Sequence, residues 1–449
     1  VDLMISKKLV AASILAAMGT SAHAIGFKAG EWEMDLSGSV NAYYNTTSCD
    51  NAGAAASGAL GLCGGAGTGQ DQTSIQNGLL PGFIIFTAST KQAGYDLKAV
   101  ISIDPGTTNN NGAAGGVGQN VGDQRRVFLQ FGNETMGTIK AGRDIGLFGQ
   151  NAILNDMSLL AVGGGSGYNG ALNTTLGGIG SGYIYTEFQP QITYTAPAFG
   201  NLTLSGGVFQ PKDLNGATAQ ENDSPGMQAL ASYSLGDNGK LWAALINQSQ
   251  SGVAAAPDSD LTGFEVGGTV NLGALALTGN YFTGEGLGTT LIGFGGRDAA
   301  GAERDSDGYL VQATYKVGNT KFGINYGSST LDATAADRTA NAIMLEETNQ
   351  MVLGVYHNLT PSLTIAGEYI TNEQTYQLGA PAAKGESNTI AVGETKSLFI
   401  FDIFSNTPQA PARHRVFACV YQSNRPWFRA FMVHIHGVVP HVERNIRLM

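Results

Sequence analysis

Charge is scarce in this chain of 449 residues, where Asp, Glu, Lys and Arg make up 13%, against ~25% in soluble domains. A packed globular domain with a solvated charged surface is therefore a poor fit. Long apolar runs are missing too. Beyond the N-terminus no stretch of 18 or more apolar residues offers a transmembrane helix. Histidine is equally sparse: between the first 24 residues and Gly393 the only one is His357, near the turn at Pro361. Hydrolytic barrels need a His beside Ser or Asp, so an enzyme is not expected. No metal-spaced cluster, nucleotide-binding loop or basic nucleic-acid patch occurs, and no metal, cofactor or nucleic-acid partner is expected.

Only three cysteines are present. Cys49 and Cys63 fall in one long Gly/Ala-rich loop, with no His nearby and no zinc spacing. In an oxidising compartment they are expected to pair, and closing a loop of that size contributes about 3 kcal/mol in the chain-entropy model. The N-terminus agrees with export. Lys7 and Lys8 precede an apolar core from Leu9 to Met18, and Ala22-His23-Ala24 reads as a cleavage site. Residues 1–24 are thus expected to be a signal peptide, with Met4 the more plausible initiator.

What the chain has in excess is glycine, 64 in all, about twice the ~7% of average usage, and alternation. Sixteen segments of about ten residues carry apolar side chains at every second position. Long Gly/Asn/Asp-rich loops and turns of a few residues separate them in strict alternation. In sequence order the segments are 33–45, 79–90, 95–104, 125–132, 138–144, 183–197, 202–211, 227–235, 240–248, 261–272, 274–283, 307–317, 321–328, 349–359, 363–371 and one opening at Asn388. Because successive side chains of a strand face opposite ways, Tyr309, Val311, Ala313 and Tyr315 share one face, while Gln312, Thr314 and Lys316 share the other. The fold class expected is all-β, a 16-stranded antiparallel transmembrane β-barrel with long extracellular loops and short periplasmic turns. A soluble sandwich would not explain the loop rhythm, and a solenoid would show a short fixed repeat. The segment 349–359 alternates poorly, and its faces are left unassigned.

Several motifs then resemble one family, the Gram-negative general porins. The stretch Gln124 to Gly149 (QRRVFLQFGNETMGTIKAGRDIGLFG) carries Arg126 opening a strand, Phe131-Gly132, and Gly142-Arg143 ahead of a long third loop. Tyr194 to Leu202 is similar to the family's Y-x-[SA]-P-x-F-G-G turn, and Ser387 to Gly393 to the opening of its last strand. The resemblance spans about residues 25–393 and implies a homotrimer of barrels passing small hydrophilic solutes and ions. It also implies a third loop, Ile145 to Gly182, folded into each lumen as the constriction. By position Arg143 matches a wall arginine of the family's eyelet. Arg126 and Lys98 fall on inward parities, and the loop acids are Asp144 and Asp156. Where many relatives carry an arginine in strand six, this chain has Glu187. Arg143 poses one geometric difficulty: it shares parity with Ile139, so a bulge near Gly142 is needed to turn it inward.

The chain's formal net charge is −11. Removing residues 1–24 and 394–449 leaves 15 basic against 31 acidic side chains, about −16, which favours cations in a pore. The acids also cluster in outer loops, where divalent ions would bridge them to lipopolysaccharide. The competing functions are an adhesin or structural barrel, and a sugar-selective channel. After Gly393 the composition changes: Gly437 is the sole further glycine, and six arginines and four histidines crowd in. Residues 394–449 resemble a shifted reading frame or a read-through, with a genuine extension as the alternative. The last strand is expected to end between Gly393 and about residue 404.

Overall fold

The computed structural model describes residues 25–52, 56–59, 62, 71–107, 124–164, 174–212, 214, 220–221, 223–252, 258–379 and 384–397. Residues 1–24, Cys63 and everything after 397 lie outside them.

Sixteen antiparallel wall strands close on themselves: β1 (Trp32–Ala52), β2 (Phe83–Gln92), β3 (Tyr95–Ile103), β4 (Val127–Asn133), β5 (Gly137–Ile145), β6 (Phe188–Thr195), β7 (Leu202–Phe209), β8 (Gly226–Ser234), β9 (Gly239–Gly252), β10 (Ser259–Leu272), β11 (Leu275–Glu285), β12 (Asp305–Val317), β13 (Thr320–Leu331), β14 (Met344–Thr360), β15 (Leu363–Gln377) and β16 (Gly385–Ser397). Each pairs with its sequence neighbour, and β16 returns to β1 from Gly385↔Ala52 to Ser397↔Ser39. A five-residue strand, Ile25–Ala29, folds back on the foot of β1, from Ile25↔Leu36 to Ala29↔Trp32. Because β2 already occupies the other edge of Glu33 to Ser39, this strand takes the edge that β16 leaves. Barrel closure leaves no backbone edge in lipid, which is why the class exists at all.

Alternation predicted the faces. Val311, Tyr309 and Ile324 are 53%, 41% and 47% exposed, while Gln312 and Asn325 between them are buried. With polar side chains turned inward and large apolar ones outward, the wall is inside-out relative to a sandwich. β14 explains its own poor pattern. Leu353 and Val355 face out, yet Val352 and Tyr356 on the inner face are buried as well. They pack with Met157, Ala161 and Val162 of the loop that follows β5, so both faces are apolar.

Two boundaries differ from expectation for one reason. β2 begins at Phe83, not Leu79, and β6 at Phe188, not Tyr183. In both places the chain leaves the wall to run inside it. Leu79 N–H donates to the Ala161 carbonyl, and Thr175 N–H to the Gly78 carbonyl. The short strand Gln72–Gln76 resumes pairing with β1 above this break.

Val311 sits mid-strand on the outer face. Val311→Arg is expected to destabilise the barrel by about 2–4 kcal/mol, the range for Arg at a bilayer midplane. Denaturant titration of protein refolded in lipid vesicles measures it; an unchanged midpoint would mean this face does not meet hydrocarbon.

Candidate functional site: the lumen

Residues 145–164 and 174–187 run inside the barrel, fastened to inward-facing side chains around much of its circumference. Leu147 and Phe148 N–H donate to Gln228 Oε1 of β8 (2.8 and 3.0 Å). Lys240 Nζ of β9 donates to Asn151 Oδ1 (2.8 Å), within the one-turn helix α1 (Gln150–Leu154). Met157 N–H reaches Gln312 Oε1 of β12 (2.7 Å), and Lys321 Nζ of β13 reaches the Met157 carbonyl (3.2 Å). Val162 and Gly163 N–H both donate to Glu368 Oε2 of β15 (2.9 and 2.8 Å). The hydroxyls of Tyr43 on β1 and Thr395 on β16 donate to the Leu160 carbonyl. The return limb binds Gln350 of β14 at Gly177 and Ser329 of β13 at Gly182. Its approach is close: a Cβ at Gly327 of β13 would overlap the Ser181 carbonyl, so only glycine fits there. A buried loop must pair its backbone groups, and here wall side chains do so.

Among the described residues the loop's bonds fall on β1, β6, β8–β10 and β12–β16, not on β2–β4. The inner surface of β2–β5 carries Lys98, Lys140 and, just above β4, Arg126. Lys140 Nζ lies 2.7 Å from Asp144 Oδ2, four residues along the same face. Arg126 Nη1 lies 3.6 Å from Asp104 Oδ1, with its guanidinium over the rings of Phe188 and Phe83 at 5.2 and 5.9 Å. Lys98 pairs in the ladder with Gln130, and Gln130 with Lys140, so all three share the inner face.

Arg143 is not with them. The ladders through β4, β5 and β6 are unbroken, with Arg143 opposite Val127 and Pro190. No bulge turns it, and it is exposed on the outer face beside half-exposed Val127. Its parity with Ile139 decides the matter, correcting its placement among the wall cations. Asp156 is buried inside the loop's own turn. It accepts from Ser158 N–H, Gly178 N–H and the Tyr183 hydroxyl at 2.7–3.0 Å, so it organises the loop. Glu187 lies before β6 rather than within it, in a left-handed conformation (φ 56°), and is ion-paired with Lys212. Lys140 was missed, although its spacing from Asp144 marks two side chains on one strand face. Glu368 and Tyr356 were missed as well. An acid at an inward position of an apolar strand is the only trace the first leaves.

The other long loops interlock. Arg304, 3% exposed, donates to both Asp337 oxygens (2.8 and 2.6 Å), to Ser57 Oγ and to the Gly295 carbonyl. Asp337 also closes a capping box with Thr334 at the start of helix α2 (Ala335–Ala340). The Arg304 guanidinium holds the Asp337 carboxyl below its ordinary range.

A closed wall with a polar interior and an apolar exterior, with loop segments folded inside it, defines a membrane channel. The family profile described as Gram-negative porin matches residues 11–376, and the chain belongs to that family; its place is the bacterial outer membrane. No curated protein matches the sequence. Among solved structures it is similar to the outer membrane channel DcaP of Acinetobacter baumannii (16% identity, TM-score 0.64), covering 83% of this chain and 99% of that one. It is also similar to an anion-selective porin from Comamonas acidovorans (17%, TM-score 0.58, 82% and 100%) and to Salmonella typhi OmpF in complex with daunomycin (13%, TM-score 0.53, 83% and 100%). At these identities the likeness establishes the fold.

Glu368→Ala removes the acceptor of two buried loop N–H groups and of the Tyr356 hydroxyl, which lies 2.6 Å away. A loss of about 1–3 kcal/mol is expected for such orphaned donors. Hydrogen exchange at Val162 and Gly163 should accelerate while the strand ladders stay protected. Equal protection in variant and wild type would refute the anchoring role. A second expectation concerns acid. Because the Asp337 carboxyl is depressed, its contribution is present above the unfolded carboxylate range and lost as pH falls through the lower folded value. Exchange across 334–341, corrected for intrinsic rates, should therefore rise on acidification. In Asp337→Asn it should be high already at neutral pH.

Proposed function

We propose that the protein is a passive, water-filled pore for small hydrophilic solutes and ions, narrowed where residues 145–164 and 174–187 lie across the lumen from β2–β5. The observation that carries this reading is the distribution of the loop's bonds. They hold it to the β6–β1 side and leave the wall bearing Lys98, Lys140 and Arg126 for the passage. A channel rather than an enzyme fits the same interior. His357 lies near the end of β14, where its Nδ1 is 2.9 Å from the Thr320 hydroxyl.

The ion preference we propose is mild and cationic. At the passage the opposing charges largely cancel in the pairs Lys140–Asp144 and Arg126–Asp104, which leaves the negative excess of the barrel as the larger contribution. Part of that excess, including Glu285, Asp305 and Glu386, occupies outward positions at the rim and does not border the passage, so the preference is weak. Those rim acids suit divalent bridges to lipopolysaccharide. A homotrimer, cleavage after Ala24 and a Cys49–Cys63 disulfide complete the proposal. Cys49 is buried on β1, and mass spectrometry of non-reduced peptides tests the disulfide.

Reversal potentials across a planar bilayer under a salt gradient test the pore itself. A small cation preference is expected, strengthened in Lys98→Ala. Anion preference, as described for the Comamonas porin, would refute the charge argument. Absence of any conductance would favour an adhesive or structural barrel.

A further inference from the structure

Alternation puts polar side chains inside the wall, yet one inner patch breaks the rule. Ala244 and Ile246 of β9, Leu261 of β10 and Phe282 of β11 all point inward and are buried. In a water-filled lumen such a patch needs an apolar cover. Two loops supply it together: Phe148 and Ile184 come from the loop after β5, and Leu287 and Ile292 from the loop joining β11 to β12. Leu287 sits in a socket floored by two glycines. A Cβ at Gly263 of β10 would fall 3.0 Å from Leu287 Cδ2 and 3.2 Å from Phe148 Cζ, and one at Gly284 of β11 would fall 2.8 Å from Leu287 Cδ2. Side chains at these two positions would push Leu287 off the wall.

Beyond Leu287 the tip of this second loop reaches the return limb of the first. Gln350 and Ser329 of the wall bind that limb at Gly177 and Gly182. At Tyr185 the partner changes: its N–H donates to the Thr290 carbonyl (2.9 Å), and Tyr185 and Leu291 form a parallel bridge. Thr290 also packs on Gly180, where an added Cβ would fall 2.7 Å from Thr290 Oγ1. The base of the second loop is pinned as well. Arg297 donates to the Gly301 and Asp260 carbonyls and pairs with Glu303, while Arg304 holds Asp337, Ser57 and the Gly295 carbonyl.

The composition of the tip separates it from the rest of the lumen. Gly286 to Gly296 (GLGTTLIGFGG) carries no charged side chain. Leu291 stays partly exposed, and Phe294 is 37% exposed. The charged groups bordering the passage, Lys98, Lys140, Asp144, Arg126 and Asp104, belong instead to β3–β5 and their ends. An uncharged element can exclude a solute by bulk, but it adds nothing to the electrostatic preference of a pore.

We propose that residues 286–296 form a second, uncharged filter, which braces the return limb at Tyr185 and narrows the lumen by bulk alone, so that part of the size limit is separable from the ion preference. The inference rests on the pore reading and adds to it a further element that limits solute size. The full-length protein in planar bilayers and proteoliposomes provides the test. Leu287→Ala combined with Ile292→Ala unseats the tip. Single-channel conductance is expected to rise about twofold and swelling to extend to larger uncharged sugars, while the reversal potential under a salt gradient keeps its wild-type value. Hydrogen exchange at Tyr185 should quicken about tenfold, with Val162 and Gly163, held by Glu368, as protected as before. Leu291→Trp acts in the opposite direction without unseating the loop, and should cut conductance to about half. If the double variant fails to insert, Leu291→Trp alone decides. Wild-type conductance, sugar cutoff and Tyr185 exchange in the unseated variant would overturn the proposal. So would a shifted reversal potential in that variant, or unchanged conductance in Leu291→Trp. A wild type without conductance would instead overturn the pore reading, and the filter with it.

Discussion

Everything in this molecule depends on one requirement: in hydrocarbon every backbone N–H and C=O must find a partner within the protein. The ladder between β16 and β1 meets it by removing the last free edge, and the strand Ile25–Ala29 continues the seam where β16 stops. Closure then dictates the side chains. One face of each strand meets lipid and the other meets whatever fills the lumen, so a two-residue period runs through the whole sequence.

The same requirement, applied to a loop inside the lumen, produces the functional architecture. Backbone lying away from bulk water needs partners, and the wall supplies them as Gln228, Gln312, Glu368, Gln350 and Ser329. These side chains are functional in the sense that they decide where the loop lies, and hence which part of the wall borders the passage. Glycine contributes by absence, since Gly327 and Gly78 let loop and wall backbones approach within contact.

Much of the fold was legible for this reason. Periodicity located all sixteen wall strands, because lipid enforces it at every position. Legibility failed where a strand serves the loop instead of the lipid. β14 lost its alternation because Val352 and Tyr356 pack against the loop. β2 and β6 begin later than pattern suggests because Leu79 and Tyr183 are apolar for an inner cluster, not for the outer face. Of the candidate site, parity pointed Lys98 and Arg126 into the lumen, whereas Asp144 was read only from its place at the start of the third loop. It also argued against Arg143, where motif position and pleat disagreed and the pleat prevailed. The roles of Asp156 and Glu187 depend on partners far away in sequence or on a left-handed turn, which no local pattern encodes.

The central claim is an open aqueous passage narrowed by the internal loop. Swelling of proteoliposomes in isosmotic solutions of uncharged sugars of graded size measures it most directly. The account predicts rapid swelling with the smallest sugars and a steep fall with increasing size, the dependence becoming shallower when Glu368→Ala loosens the loop. No swelling with any solute, or rates independent of solute size in the wild type, would contradict it.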